Sequence, residues 1–85
     1  MTQFTYVIKD PSGIHARPAS ILVKLANTFK SKITVFKGEK SGDLKRIFSL
    51  MALGAKQGEE LTIQIDGEDE TQAQTAILNC FKENF

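Results

Sequence analysis

In 85 residues the chain has one cysteine, one histidine, two prolines and no tryptophan. Cys80 alone can form neither an intramolecular disulfide nor a cysteine-based zinc site. A single histidine cannot build a histidine-rich metal site, and Asp10 nearby would add only a second ligand, so no metal is expected. No apolar run reaches the roughly 18 residues that would span a bilayer. The amino terminus, Met1-Thr2-Gln3-Phe4-Thr5-Tyr6, lacks a basic stretch followed by an apolar one, so no signal peptide is expected. A cytoplasmic location fits these absences. A charge excess is missing too: eleven basic residues against ten acidic leave +1. Nucleic-acid binding would ask for a larger basic surplus. The length excludes a two-domain cleft and points to one domain over residues 1–85. Nothing suggests a substrate pocket or a cofactor.

What is present reads as globular, with 41% apolar and 25% charged residues. Phe4, Tyr6 and Ile8 alternate with Thr5 and Val7, which predicts a first strand over Phe4–Ile8. Asp10-Pro11-Ser12-Gly13 breaks it. Ala19, Leu22, Val23, Ala26 and Phe29 then recur at helical spacing, from Ala16 to Asn27 or Phe29. Pro18 is tolerated only in a first turn, so this helix starts just before Ala16. A strand over Ser31–Phe36 turns at Lys37-Gly38-Glu39 into a weak return strand, Lys40–Leu44. A short helix follows over Ile47–Leu53, closed by Gly54. Leu61, Ile63 and Ile65 mark a last strand, Glu60–Asp66. The final helix runs from Glu70 to near Asn84, with a capping-box pattern at Asp69 and Gln72. The order is β-α-β-β-α-β-α, with one wet sheet face and the longer helices on the other. Cys80 falls on the apolar side of the last helix and Tyr6 in the sheet, both as structure. The acidic run Glu68-Asp69-Glu70 suits a helix amino terminus.

His15 sits at the start of the first helix, in Gly13-Ile14-His15-Ala16-Arg17-Pro18. On pattern alone it is either an exposed loop or capping residue or a nucleophile. An imidazole nitrogen is nucleophilic near neutral pH. The positive end of the helix favours the uncharged ring, and the open N–H groups, Ala16's among them, suit an anion attached to it. Arg17 supplies a planar donor fork for phosphate oxygens. Pro18 stiffens the turn. No second catalytic group can be placed, so such a histidine would carry a group rather than turn over a substrate.

The run Gly13-Ile14-His15-Ala16-Arg17-Pro18-Ala19 resembles the active-site motif of the HPr family, the histidine-containing phosphocarriers of the bacterial phosphoenolpyruvate-dependent sugar phosphotransferase system. The resemblance extends over nearly the whole chain, through Leu44-Lys45, Met51-Ala52-Leu53-Gly54 and Asp66-Gly67-Glu68-Asp69-Glu70. It implies an α+β open-faced β-sandwich, a four-stranded antiparallel sheet covered on one face by three helices. It implies that His15 accepts phosphate at Nδ1 from enzyme I and passes it to sugar-specific enzyme IIA domains. Arg17 would help hold the phosphoryl group, and Pro18 matches the family proline. The protein would then be a relay, not an enzyme with its own turnover, and is expected as a monomer in transient complexes.

The partner surface is expected around His15. Ser20, Lys24 and Asn27 lie with Arg17 on the exposed face of the first helix. A seven-residue helix cannot bury all of Ile47, Phe48, Leu50, Met51 and Leu53 against one sheet. Some of Ile47, Phe48 and Met51 are therefore expected to stand out as a docking patch. Lys24, Lys45 and Arg46 would add positive charge and steer acidic partners. One departure concerns regulation. Many low-GC Gram-positive relatives carry a regulatory serine just after the lysine matching Lys45, and here Arg46 stands there. Serine-directed control at that position is thereby put in doubt, and neither Ser41 nor Ser49 matches it.

Two other functions compete. A small RNA-binding module would want exposed aromatics on an open sheet face, and Phe36 with Lys37 is the only support. A regulatory relative acting by protein contact alone would be expected to lose the nucleophile, yet His15 is intact.

Overall fold

The computed structural model describes residues 1–85. The elements are β1 (Thr2–Val7), α1 (Ala16–Ala26), β2 (Lys32–Lys37), β3 (Lys40–Asp43), α2 (Ile47–Met51), β4 (Glu60–Asp66) and α3 (Glu70–Asn84). The expected order is therefore observed. Every strand pair is antiparallel, in the spatial order β1-β4-β2-β3. Strand β4 is interior, paired with β1 on one edge and β2 on the other, and its alternation is clean. Leu61, Ile63 and Ile65 are fully buried on its inner face, while Thr62 and Gln64 face outward. Strands β1 and β2 flank β4 and so run parallel to each other, joined by α1 as a crossover.

The three helices cover one face of the sheet. Ala19, Leu22 and Ala26 of α1, and Ala73, Ile77 and Phe81 of α3, pack on Tyr6, Ile33, Val35 and the β4 residues. The Phe81 ring packs between two others, with centroids 5.3 Å from Tyr6 and 5.6 Å from Phe85. Cys80 is buried, and desolvation holds its thiol above the ordinary range.

Most departures from expectation lie at element ends. Strand β1 spans Thr2–Val7 rather than Phe4–Ile8, because Thr2 and Gln3 pair with Ile65 and Gln64. Helix α1 ends at Ala26; Thr28 and Phe29 instead bond back to Leu25 and Ala26 in a tighter turn. Strand β2 is shifted by one residue, to Lys32–Lys37, since Ser31 is taken up by a side-chain clamp. Strand β3 stops at Asp43, and α2 stops at Met51, with Leu53 turned into the core.

One local expectation fails for a physical reason. The capping box at Asp69 and Gln72 does not form, for Asp69 makes no capping hydrogen bond. Its carboxylate turns instead to the start of β2. There it accepts the hydroxyl of Ser31 and the N–H groups of Lys30 and Ser31, the latter two at 2.8 and 3.0 Å. These donors, the Ser31 hydroxyl first, hold its acidity at about 2. The amino end of α3 is served by Glu70, which accepts the Gly67 N–H at 3.2 Å.

Candidate functional site

His15 is the N-cap residue of α1, with extended backbone at φ −123° and ψ 165°. Its carbonyl accepts the N–H of Ala19, so the helix starts where Pro18 requires. Pro18 itself is buried in the first turn. No acceptor in the protein engages the N–H groups of Ala16 and Arg17. The His15 side chain is 42% exposed and stands outside the core. The residue that opens the helix is thus also one whose ring solvent can reach.

The loop before the ring is tightly held. Gly13 has φ +65°, which a residue with a Cβ rarely adopts. A Cβ there would also collide with the Ala55 carbonyl oxygen, the atom that accepts the Ile14 N–H at 3.0 Å. Asp10, set aside in sequence reasoning as a poor metal ligand, turns back to the ring. Its Oδ2 lies 3.1 Å from His15 Nε2. Its Oδ1 accepts the Ser12 N–H at 2.8 Å. The Ser12 N–H, then the His15 ring, hold the Asp10 carboxyl below its ordinary range. An ionised carboxylate only accepts, so it selects the Nε2–H form of a neutral ring and leaves the lone pair on Nδ1.

Arg17 is exposed on the first turn of α1 and enters no ion pair. Ser20 is half-buried, and Lys24 is exposed on the same helix. Helix α2 presents Phe48 at 85% and Met51 at 36% exposure, with Ile47 half-buried and Leu50 wholly buried. Arg46 is the exposed N-cap residue of α2. Two of the expected contact residues have structural work as well. The Asn27 side chain donates to the carbonyls of Val23 and Lys45, and the Lys45 ammonium donates to the Phe29 carbonyl at 2.7 Å. They fasten the end of α1 to the segment before α2. Ser49 is committed too, since its hydroxyl accepts the Asp43 N–H. Ser41 is exposed on β3.

Two residues escaped the sequence reading. Ile21, on α1 between Arg17 and Lys24, is 48% exposed and adds to the apolar surface. Its helical phase, one residue off the buried stripe of Leu22, was the available signal. Asp10 was weighed only as a turn former and a poor metal ligand, not as a partner of the ring. Its five-residue spacing to His15 gives no periodic cue.

The open sheet face carries Gln3, Thr5, Val7, Thr34, Phe36, Thr62 and Gln64. One half-buried phenylalanine there does not make a stacking platform for bases.

Comparison with known proteins agrees with this geometry. Residues 2–83 match the family described as the PTS HPr component phosphorylation site. The chain is 51% identical over 77 residues to the phosphocarrier protein HPr of Mycoplasma capricolum, covering 91% of this chain and 86% of that one. It is 47% identical over 85 residues to the HPr of Mycoplasma genitalium, covering 99% and 97%. Among solved structures, a Mycoplasma histidine-containing phosphocarrier protein superposes with a TM-score of 0.94 at 46% identity, covering 96% of this chain and 93% of that one.

Proposed function

The chain belongs to the HPr family, whose members relay phosphoryl groups in the phosphotransferase system through a histidine, and we propose that His15 is the carrier here. It is the sole histidine in the sequence. Proteins of this family act as carriers without independent turnover, between enzyme I and enzyme IIA. Residues 1–85 act as one such domain, and the cytoplasm is its place of work. No helix of the protein is long and apolar enough to cross a membrane.

The observation that carries the reading is the half-exposed ring beside unspent helical N–H groups. Neutral His15 attacks the phosphorus of phospho-enzyme I with the Nδ1 lone pair. The donor's P–N bond breaks, and its electron pair leaves with the donor. Phosphate oxygens on Nδ1 then lie near the Ala16 and Arg17 N–H groups and within reach of the Arg17 guanidinium. Transfer to enzyme IIA is the same step reversed. Positioning and electrostatics supply most of the catalysis in such exchanges.

Partners dock on the surface made by Ser20, Ile21 and Lys24 of α1 with Arg46, Ile47, Phe48 and Met51 of the α2 segment. Large apolar side chains at solvent, ringed by unpaired cations, suit a partner with an apolar centre and an acidic rim. Asn27 and Lys45 support that surface from behind. Incubation with labelled phosphoenolpyruvate and enzyme I tests the reading. The wild-type chain takes up one phosphate, and a His15→Ala chain takes up none. Equal uptake by both would refute it.

A further inference from the structure

Asp10 is held through both its main chain and its carboxylate. Its N–H donates to the main-chain oxygen of Phe85 at 2.8 Å, and its carbonyl accepts the Gly13 N–H at 2.9 Å. Its Oδ1 takes the Ser12 N–H at 2.8 Å, which leaves Oδ2 to face His15 Nε2 at 3.1 Å. Two main-chain bonds thus fix the Asp10 backbone, and the Ser12 contact turns the carboxylate so that Oδ2 meets the ring nitrogen. A carboxylate that merely capped its own turn would need only the Ser12 contact.

We propose that Asp10 is a positioning residue for phosphoryl transfer, holding the His15 proton on Nε2 through both directions of the exchange. The proposal rests on the reading of His15 as carrier and assigns the role of its second nitrogen. In the forward step the Nδ1 lone pair forms the P–N bond while the proton stays on Nε2. The ring becomes a phosphoimidazolium, and its new positive charge lies against the Asp10 carboxylate. In the return step the P–N bond breaks and its electron pair goes back to Nδ1. The departing ring is then neutral imidazole. Without the Nε2 proton it would have to leave as imidazolate, a far poorer leaving group. No proton enters or leaves in either direction, so the relay can run both ways without a general acid.

The segments around the ring carry further charged groups, Lys9 beside Asp10 and Glu59 bonded to the Lys56 N–H among them. The others are Asp10 on the preceding loop, Arg17 on the first turn of α1, and Lys56, whose backbone packs on Gly13. Asp10 is the one that hydrogen-bonds the ring. Asp10→Asn removes its charge and keeps an oxygen for the Ser12 N–H. Asp10→Glu keeps the charge.

The test is a pair of measurements on the full chain. Nitrogen-15 spectra of the ring are taken at about pH 9, above the ordinary imidazole value of about 6.5. The rate of phosphate transfer from the phosphorylated chain to an enzyme IIA domain is taken at the same pH. Wild type is expected to show the Nε2–H form alone, and Asp10→Asn a mixture of both forms. Transfer from Asp10→Asn is expected to slow about tenfold, the order of one charge-assisted hydrogen bond. The difference should narrow as the solution is acidified and solvent protons supply Nε2. Asp10→Glu should recover part of the rate, and the amide spectrum checks that the loop stays closed in both variants. An Asp10→Asn chain with the wild-type ring spectrum and transfer rate would overturn this proposal alone. Phosphate absent from His15 in the wild type would overturn the carrier reading and this proposal with it.

Discussion

Phe85 and Asp10 are joined by a main-chain hydrogen bond of 2.8 Å, and the same Phe85 oxygen also takes the Lys9 N–H at 2.6 Å. The end of α3 therefore holds the loop that faces His15. The Phe85 ring is buried against Phe81, so the oxygen is placed by core packing.

Phe85→Ala should cost stability and disturb the site together. Loss of the buried ring should lower stability by about 1.5–3 kcal/mol. The ring contact between Asp10 and His15 should loosen as well, read as a change in the His15 ring spectrum. Phe85→Leu keeps an apolar anchor and should alter both much less. Urea unfolding and ring spectra of the two variants check this.

Gly13→Ala should be costly although the residue bears no side chain. Its φ of +65° and the nearby Ala55 carbonyl leave no room for a Cβ. A loss of more than about 1 kcal/mol is expected, seen as a drop of more than about 4 °C in melting temperature. Phosphate uptake should fall with it, since Ile14 and His15 follow directly.

Phe48 and Leu50 lie two residues apart on α2, on opposite sides of the helix. Phe48 is 85% exposed and Leu50 is fully buried. Phe48→Ala should leave stability within about 0.5 kcal/mol. It should raise the KM for phosphate exchange with enzyme I, by about tenfold if the ring anchors a docking centre. Leu50→Ala should lower stability by about 2–5 kcal/mol. Thermal melts and steady-state exchange kinetics separate the two effects.

Acid should unfold the protein partly through Asp69. Its folded value is held at about 2, against an ordinary 3.8. The unfolded chain therefore binds that proton first as pH falls. The Asp69 contribution is complete well above 3.8 and is lost as the pH drops toward 2. Asp10, Glu59 and Glu70 are shifted in the same direction and add to the trend. Asp69→Asn should be less stable at neutral pH and show a flatter decline between about pH 5 and 2. A pH series of denaturant melts measures this.

Much of the molecule was legible in its sequence because the signals were local. Alternation in Leu61-Thr62-Ile63-Gln64-Ile65, the stripe through Ala19, Leu22 and Ala26, and Pro18 at a helix start each follow from one element's geometry. The motif around His15 was legible only through its resemblance to the HPr family; its local pattern left a capping residue and a nucleophile both open. What was hidden depends on distant partners. Asp69 follows the capping pattern, yet Ser31, far away in the chain, claims its carboxylate. Strand β1 begins early because β4 offers partners to Thr2 and Gln3. Asp10 reads as a turn former, and only the folded loop, tied down by Phe85, brings it to the ring.

The most direct test locates the phosphate itself. The chain is phosphorylated by phosphoenolpyruvate and enzyme I, and phosphorus and nitrogen spectra identify the atom that bears the group. A single phosphate on Nδ1 of His15, labile to acid and stable to base, is the predicted result. A phosphate on Nε2, or on Ser41 or Ser49, would contradict it.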